Sequence, residues 1–272
     1  MADETRRLQG KFALVTGASR GIGRGVALRL AESGAAVAVN FKNNQAAAED
    51  TVAQINSRGG RSFSIRTDVA DCSGLETMVK RVHQEFGDLD IYVHNALGDL
   101  LGFMSPPLQV TPEQWKAAFE CQQQAFLVGV QSAAPLLRDR GRIIAMSYWP
   151  GSHLGGFSPY FAMGVNKAGI EAMCRYFAVS LAKRGITVNV ICPGLTDDSI
   201  VNQLPPGAQQ AILGWLREGW NPRGRPGTPA DIGGAVAALC SDDAGWITGQ
   251  TIVADGGASL MSAEVPLAFQ GM

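Results

Sequence analysis

Histidine is scarce in this chain. His83, His94 and His153 stand far apart, and no H-E-x-x-H or Cys/His cluster occurs. Such spacing offers no metal site. The five cysteines (Cys72, Cys121, Cys174, Cys192 and Cys240) form no C-x-x-C pair and have mostly apolar neighbours. They read as buried thiols of a reducing compartment, which predicts a cytoplasmic protein. An excess of either charge is also missing, the formal net charge being −1 over 272 residues. So balanced a chain has no basic field for a nucleic acid backbone or an anionic lipid surface. No uninterrupted apolar run approaches a membrane span. Met1–Gln9 is polar and mixed in charge, unlike a secretory signal. Any nucleotide must therefore be held by local geometry rather than by global charge.

What is present is apolar: 46% of residues are hydrophobic and 17% charged, the balance of a large buried core. Apolar runs alternate with helical stretches throughout. Strands are expected at Lys11–Thr16, Ala36–Phe41, Arg61–Arg66, Leu89–His94, Gly141–Ser147, Ile186–Cys192 and Gln250–Asp255. Helices are expected at Gly23–Ser33, Ala46–Arg58, Ser73–Phe86, Pro159–Arg184 and Pro229–Ser241. Another starts at Thr111-Pro112, cap then proline, and runs to about Leu137. Strand alternating with helix implies a parallel sheet, since parallel strands need crossover connections. The expectation is one α/β domain over residues 1–272, a Rossmann-type doubly wound parallel sheet. The segment at about 195–229 breaks the rhythm. It is rich in Pro and Gly, carries Trp215 and Trp220, and reads as a lid over a substrate.

Thr16-Gly17-Ala18-Ser19-Arg20-Gly21-Ile22-Gly23 follows the first strand and opens the first helix. Glycines there permit a tight turn and let backbone approach a pyrophosphate, while the helix start offers free N–H groups and a positive dipole end. The second strand ends Asn40-Phe41-Lys42, without the carboxylate that holds a ribose 2′-hydroxyl in NAD sites. Lys42 and Arg20 would instead attract a 2′-phosphate, so NADPH is favoured over NADH.

The spacing T-G-x-x-x-G-x-G, Asn95-Ala96 after the fourth strand, Pro193-Gly194 after the sixth and the run Gly249 to Gly257 together resemble the short-chain dehydrogenase/reductase family. The resemblance extends from Lys11 to Ser259. It implies that Gly17, Ser19, Arg20, Gly21, Ile22 and Gly23 hold the pyrophosphate end of the cofactor. It implies that Asp68 and Val69 contact adenine, that Asn95 and Ala96 lie beside a cofactor ribose, and that Leu195 offers its backbone to the nicotinamide carboxamide. Arg20 and Lys42 stand where such family members read the 2′-phosphate.

Most ketone-reducing members carry a Ser and then Tyr-x-x-x-Lys. The Tyr protonates the alkoxide, and the Lys binds the nicotinamide ribose and lowers the Tyr pKa. Here Lys167 is the lysine, in Asn166-Lys167-Ala168-Gly169, but Met163 stands four residues before it and cannot donate a proton. The Ser position is blurred by Met146-Ser147-Tyr148, and an Asn of the proton relay aligns with Gln122. Tyr160 lies seven residues before Lys167. That is about two helical turns, which puts both on one face. Tyr-x6-Lys with Met between resembles the enoyl-acyl carrier protein reductase branch, which has a further tyrosine upstream. Tyr148 is the candidate, twelve residues before Tyr160. The glycine turn and the Asn95 segment look like the ketoreductase branch, a mixture found in a smaller group of enoyl reductases.

The displacement has a chemical sense. Hydride transfer to a ketone puts charge on the oxygen of the attacked carbon. Transfer to the β-carbon of an enoyl thioester puts it on an oxygen two bonds farther away. A donor moved back by one turn, about 5.4 Å, moves in the required sense. The expected activity is an NADPH-dependent reduction of an enoyl thioester, on coenzyme A or an acyl carrier protein, as in fatty acid biosynthesis. The alternatives are a carbonyl reductase of a 3-oxoacyl or polyketide ketone with a displaced donor, and a non-catalytic cofactor-binding subunit. His94 reads as a strand-end residue near the cofactor, and Asp197-Asp198 as a cap and solvated loop. Leu204, Ile212, Leu213, Trp215, Leu216 and Trp220 suit either core or an apolar acyl pocket, the latter shared with Leu97, Leu100, Leu101, Phe103 and Met104. Family resemblance also implies a homotetramer packed through the C-terminal strand and long helices.

Overall fold

The computed structural model describes residues 7–98, 103–148, 159–197 and 206–261. Seven strands run through it: β1 (Phe12–Val15), β2 (Ala36–Phe41), β3 (Ser62–Arg66), β4 (Leu89–His94), β5 (Leu137–Met146), β6 (Thr187–Pro193) and β7 (Thr251–Ala254). They form one sheet of order β3-β2-β1-β4-β5-β6-β7, with every neighbouring pair parallel. The helices are α1 (Gly21–Glu32), α2 (Gln45–Ser57), α3 (Cys72–Phe86), α4 (Pro112–Phe119), α5 (Ala125–Ala133), α6 (Phe161–Leu181), α7 (Pro206–Trp215) and α8 (Pro229–Cys240). The expected doubly wound parallel α/β fold is the observed one.

β2, β4 and β6 are buried at every position, which is why apolar residues predominate on both of their faces rather than alternating with polar ones. Alternation survives in where each side chain goes. Leu14, Tyr92 and Ile143 join a core with α3, α5 and α6, while Ala13, Val15, Ile91, Val93 and Ile144 join a second core with α1, α2 and α8. No described helix is long and apolar enough to cross a membrane.

Two helices differ from expectation. The stretch expected as continuous from Thr111 to about Leu137 is broken. Thr111 does cap α4, in a reciprocal box with Gln114. After Phe119, however, the chain makes a π-helical turn, Glu120–Gln124, before α5, and a 3₁₀ turn, Ala134–Leu136, after it. Pro135 lacks the N–H needed to extend α5, and Leu137 already begins β5, four residues before the expected Gly141. The second is α6. It starts at Phe161, so Tyr160 is its N-cap, with non-helical φ −103° and ψ 19°, and Ala182–Arg184 is 3₁₀.

Candidate active site

The sheet order reverses between β1 and β4. The chain winds outward through β2 and β3, then returns to place β4 on the other side of β1. Connections at such a point leave in opposite directions, and a crevice opens beyond the carboxyl ends of the strands. The Thr16–Gly23 turn sits there, and side chains from three strand ends build it. Buried Thr16 donates through Oγ1 to the Val93 carbonyl (3.3 Å) and accepts there from Asn95 N (2.9 Å) and Ala96 N (3.0 Å). Asn95 Nδ2 donates to the carbonyls of Thr16 (3.0 Å) and Gly17 (3.2 Å). Gly17 N donates to Asn40 Oδ1 (3.1 Å), and Asn40 Nδ2 donates to the carbonyls of Ile65 (3.3 Å) and Thr67 (3.1 Å). Asn40 is thus the buried tie between turn, β2 and β3.

Two glycines are dictated by clearance. A Cβ on Gly17 (φ +62°) would lie 2.8 Å from Ala96 Cα, and one on Gly23 would lie 2.3 Å from the Gly17 carbonyl oxygen and 2.4 Å from Asn95 Nδ2. Arg20 at the N-cap of α1 makes no side-chain cap bond, which leaves first-turn N–H groups for a ligand. This glycine cradle fits the pyrophosphate of a dinucleotide. Ser19, Gly21 and Ile22 also line the cleft, as do Asp68, Val69, Asn95, Ala96 and Leu195. Lys42, expected as a cation for a 2′-phosphate, is paired with the Asp68 carboxylate at 2.6 Å, both groups being largely accessible (59% and 36%). Exposed pairs contribute about 0–1 kcal/mol, so a phosphate can take Lys42 over at little cost. Exposed Arg20 borders the same end.

The cleft, about 1660 Å³, runs on from there to the end of β5 and the start of α6, where Ser147, Tyr148, Tyr160 and Lys167 line it. The Tyr148 and Tyr160 rings meet edge to face, centroids 4.7 Å apart at 76°. Lys167 is 4% exposed, and its Nζ donates to the Met146 carbonyl (2.7 Å). Burial pulls its pKa down to about 8, against the nearby Cys121, Cys192 and Glu171. Burial pushes Tyr160 well above the ordinary phenol range, with smaller contributions from Tyr148 and Cys121, and pushes Tyr148 up to about 12. Both phenols therefore hold their protons at neutral pH. Met163 is fully buried in a small core with Phe103, Ala118, Cys121 and Ala162.

Several expected roles are redrawn. Ser147 borders the cleft, but its hydroxyl donates to the buried Glu171 carboxylate (2.5 Å). Tyr160 and Lys167 do share the cleft, although Tyr160 reaches it from the N-cap and not from a helical turn. Gln122 is fully buried in the π-helical turn and donates to the Ala96 carbonyl (3.2 Å). His94 is sealed in: it is 0% exposed, its Nδ1 is 3.4 Å from the Tyr92 hydroxyl, and its ring packs on Phe126. Burial, and then the Lys167 charge, lower its pKa to about 3, so it is neutral at working pH and belongs to the core. Asp197 is exposed, as expected of a solvated loop, while Asp198 lies outside the described residues. Cys72 is half-buried and Cys121 lines the cleft; the other three cysteines are buried.

In the segment expected as a lid, Ile212 and Trp215 of α7 line the cleft, and Trp220 stacks on Trp215 (5.6 Å, 12°). Leu97, Phe103 and Met104 face them across it. Leu100, Leu101 and Leu204 fall outside the described residues. Farther along the same segment, Asn221 donates to the Asp255 carbonyl beyond β7 (3.2 Å). Sequence reasoning missed Glu171, although an acid four residues after Lys167 on an apolar helix face was a readable signal. It also missed Gly164, where a Cβ would come within 2.8 Å of the Tyr148 hydroxyl.

Comparison with known proteins agrees with this geometry. A family model described as enoyl-(acyl carrier protein) reductase matches residues 17–259. The chain is 38% identical to the 1-cyclohexenylcarbonyl-CoA reductase of Streptomyces collinus, over 93% of this chain and 88% of that protein. The chain belongs to the short-chain dehydrogenase/reductase superfamily. It is an oxidoreductase of that superfamily, and is also 38% identical to the 3-oxoacyl-[acyl-carrier-protein] reductase FabG of Staphylococcus aureus, over 91% of this chain and 97% of that protein. A short-chain dehydrogenase of Burkholderia cenocepacia solved with NADP superimposes with a TM-score of 0.84 at 32% identity, covering 93% of this chain and 99% of that one. Two short-chain dehydrogenase/reductase relatives of equal identity thus carry names for different substrates, and membership leaves the substrate to the geometry of the site.

Proposed function

We propose that this chain is an NADPH-dependent reductase of an enoyl thioester. The observation that carries the reading is the exchange of places at the start of α6: Tyr160 at its N-cap lines the cleft with Lys167, while residue 163 is a methionine packed in the core. When bound, NADPH supplies the hydride. The Thr16–Gly23 turn holds its pyrophosphate, Arg20 and Lys42 its 2′-phosphate, and Lys167 its nicotinamide ribose. Asp68 and Val69 flank the adenine, Asn95 and Ala96 a ribose, and Leu195 the carboxamide.

Tyr160 donates a hydrogen bond to the thioester oxygen as negative charge grows on it, then gives up its proton. A neutral phenol in a partly desolvated site suits that role, because a donor already aimed at the developing charge needs no reorganisation. Tyr148, packed edge-on against Tyr160, orients the thioester. Leu97, Phe103, Met104, Ile212 and Trp215 exclude water from the acyl chain. The acyl carrier is coenzyme A or an acyl carrier protein. A cytoplasmic homotetramer belongs to the same reading, supported by the exposed Tyr176 and Val179 on α6 and Trp246 and Val253 around β7; light scattering on the purified protein tests it.

A carbonyl reductase using a displaced donor is the second reading, favoured by the equal identity to FabG. NADPH oxidation with crotonyl- and acetoacetyl-thioesters, beside Tyr160→Phe, separates the two. Turnover of the enoyl substrate, lost in the variant, supports the first reading. Turnover of the keto substrate alone, or a fully active Tyr160→Phe, overturns it. NADPH binding with neither turnover points to a cofactor-binding subunit.

A further inference from the structure

We propose that Glu171 is a positioning residue: its carboxylate holds the Ser147 hydroxyl and stands one helical turn from Lys167, and so fixes the Met146–Tyr148 strand end, with the Tyr148 ring, against the cleft face of α6.

Three contacts lash this strand end to α6. Lys167 Nζ donates to the Met146 carbonyl (2.7 Å), Ser147 Oγ donates to Glu171 Oε1 (2.5 Å), and the Tyr148 ring lies against Tyr160 with its hydroxyl over Gly164. Successive residues 146, 147 and 148 thus each touch α6. The middle contact ties the residue between the other two to α6 through its side chain. Its strand side is set as well: Ser147 N donates to the Ile191 carbonyl (2.8 Å) as the ladder with β6 ends.

Glu171 is 4% exposed, and a buried carboxylate is retained only against partners that compensate its lost hydration. Here these include the Ser147 hydroxyl, the Cys192 thiol, whose Sγ donates to Oε1 at 3.6 Å, and the charge of Lys167. The groups facing Lys167 come from four elements: Cys121 of the π-helical turn, Cys192 of β6, His94 of β4 and Glu171 of α6 itself. His94 is neutral, and Glu171 is the carboxylate among these groups, acting on Lys167 in the same direction as the two sulfurs but less strongly. The proposal rests on the reductase reading only for the substrate used in turnover.

The test compares wild type with E171Q, E171L and S147A. NADPH affinity is measured against pH by fluorescence, kcat and KM with a crotonyl thioester, and folding by thermal melting. E171Q keeps an acceptor for Ser147 but removes the countercharge. Lys167 then loses its proton more easily, and the alkaline limit of NADPH binding moves down by about one pH unit. S147A and E171L free the Tyr148 strand end and raise KM by about tenfold. If E171L does not fold, E171Q and S147A decide the question. An unmoved pH profile in E171Q together with an unmoved KM in S147A overturns the proposal. So does lowered melting with neither change, which marks Glu171 as merely structural. Should wild type turn over no enoyl thioester, the substrate reading fails, while the NADPH pH profile still decides this proposal.

Discussion

At its cofactor end the cleft is made of backbone. Gly17 and Gly23 leave room that a single methyl would fill, and Thr16, Asn40 and Asn95 spend their side chains holding that backbone in place. At its reaction end the cleft is made of side chains: two phenols in contact, a buried lysine, and apolar residues of α7. The first end binds parts of a ligand that never change, so its geometry reduces to spacing and clearance. The second must place a proton beside whichever oxygen the substrate offers. Under the proposed function, the shift of three residues from position 163 to Tyr160 is what changes which oxygen that is.

The sharpest way to break this comparison is Tyr160→Phe. We expect kcat to fall by about 10²–10⁴-fold, the range for loss of a general acid, with NADPH affinity unchanged in a fluorescence titration. A matching loss of affinity would show that the two ends are not separable. Gly23→Val attacks the other end. Its branched side chain meets the Gly17 carbonyl and Asn95, and NADPH affinity should drop by about 100-fold with near-native circular dichroism.

The pH dependence comes next. Lys167, held at about 8 by burial, loses its charge as pH rises through that value, so kcat/KM should decline by about tenfold per unit above it. Its folded pKa lies below its unfolded one, so the unfolded state binds the extra proton between the two values. This group therefore makes stability rise with pH across the window in which activity falls. Parallel melting and rate measurements should diverge there.

Arg20→Ala and Lys42→Ala should each reduce the preference for NADPH over NADH by about tenfold, an effect that shrinks at high salt. Smallest in catalytic terms is Met163→Tyr. It restores the common Tyr-x-x-x-Lys spacing, yet places a phenol in a fully buried pocket. We expect a cost of about 1–3 kcal/mol, a melting point lowered by a few degrees, and no gain of ketone reduction.

The same contrast governs what was legible in the sequence. β2 and β4 begin and end where their predominantly apolar runs do, because a strand covered on both faces has few places for a polar side chain, here Asn40, Asp90 and His94. The cofactor turn was legible because glycines at fixed spacing leave few other uses. Tyr160, Tyr148 and Lys167 were legible as candidates, since the altered spacing stood against a familiar frame. Ser147 was not: whether a hydroxyl faces a cleft or a buried carboxylate depends on α6, twenty-four residues away. The Lys42–Asp68 pair joins two strand ends that only the sheet brings together. The π-helical turn left no mark either, because residues 120–124 have ordinary helix-compatible identities and only packing against the cleft reveals the extra residue.

That turn carries a consequence for how such a molecule could diverge. A π-helical turn amounts to one residue inserted into an α-helix. A single-codon deletion within Glu120–Gln124 would restore regular winding and keep α4 and α5 nearly in phase, because the wide turn already absorbs the extra residue. Trp115 would stay against Phe161, while the residues of the turn, with Cys121 and Glu120 in the cleft wall, would be repositioned and the parallel sheet and the glycine turn untouched. Here a change of length, and not only of residue type, would redraw one wall of the cleft and spare the fold.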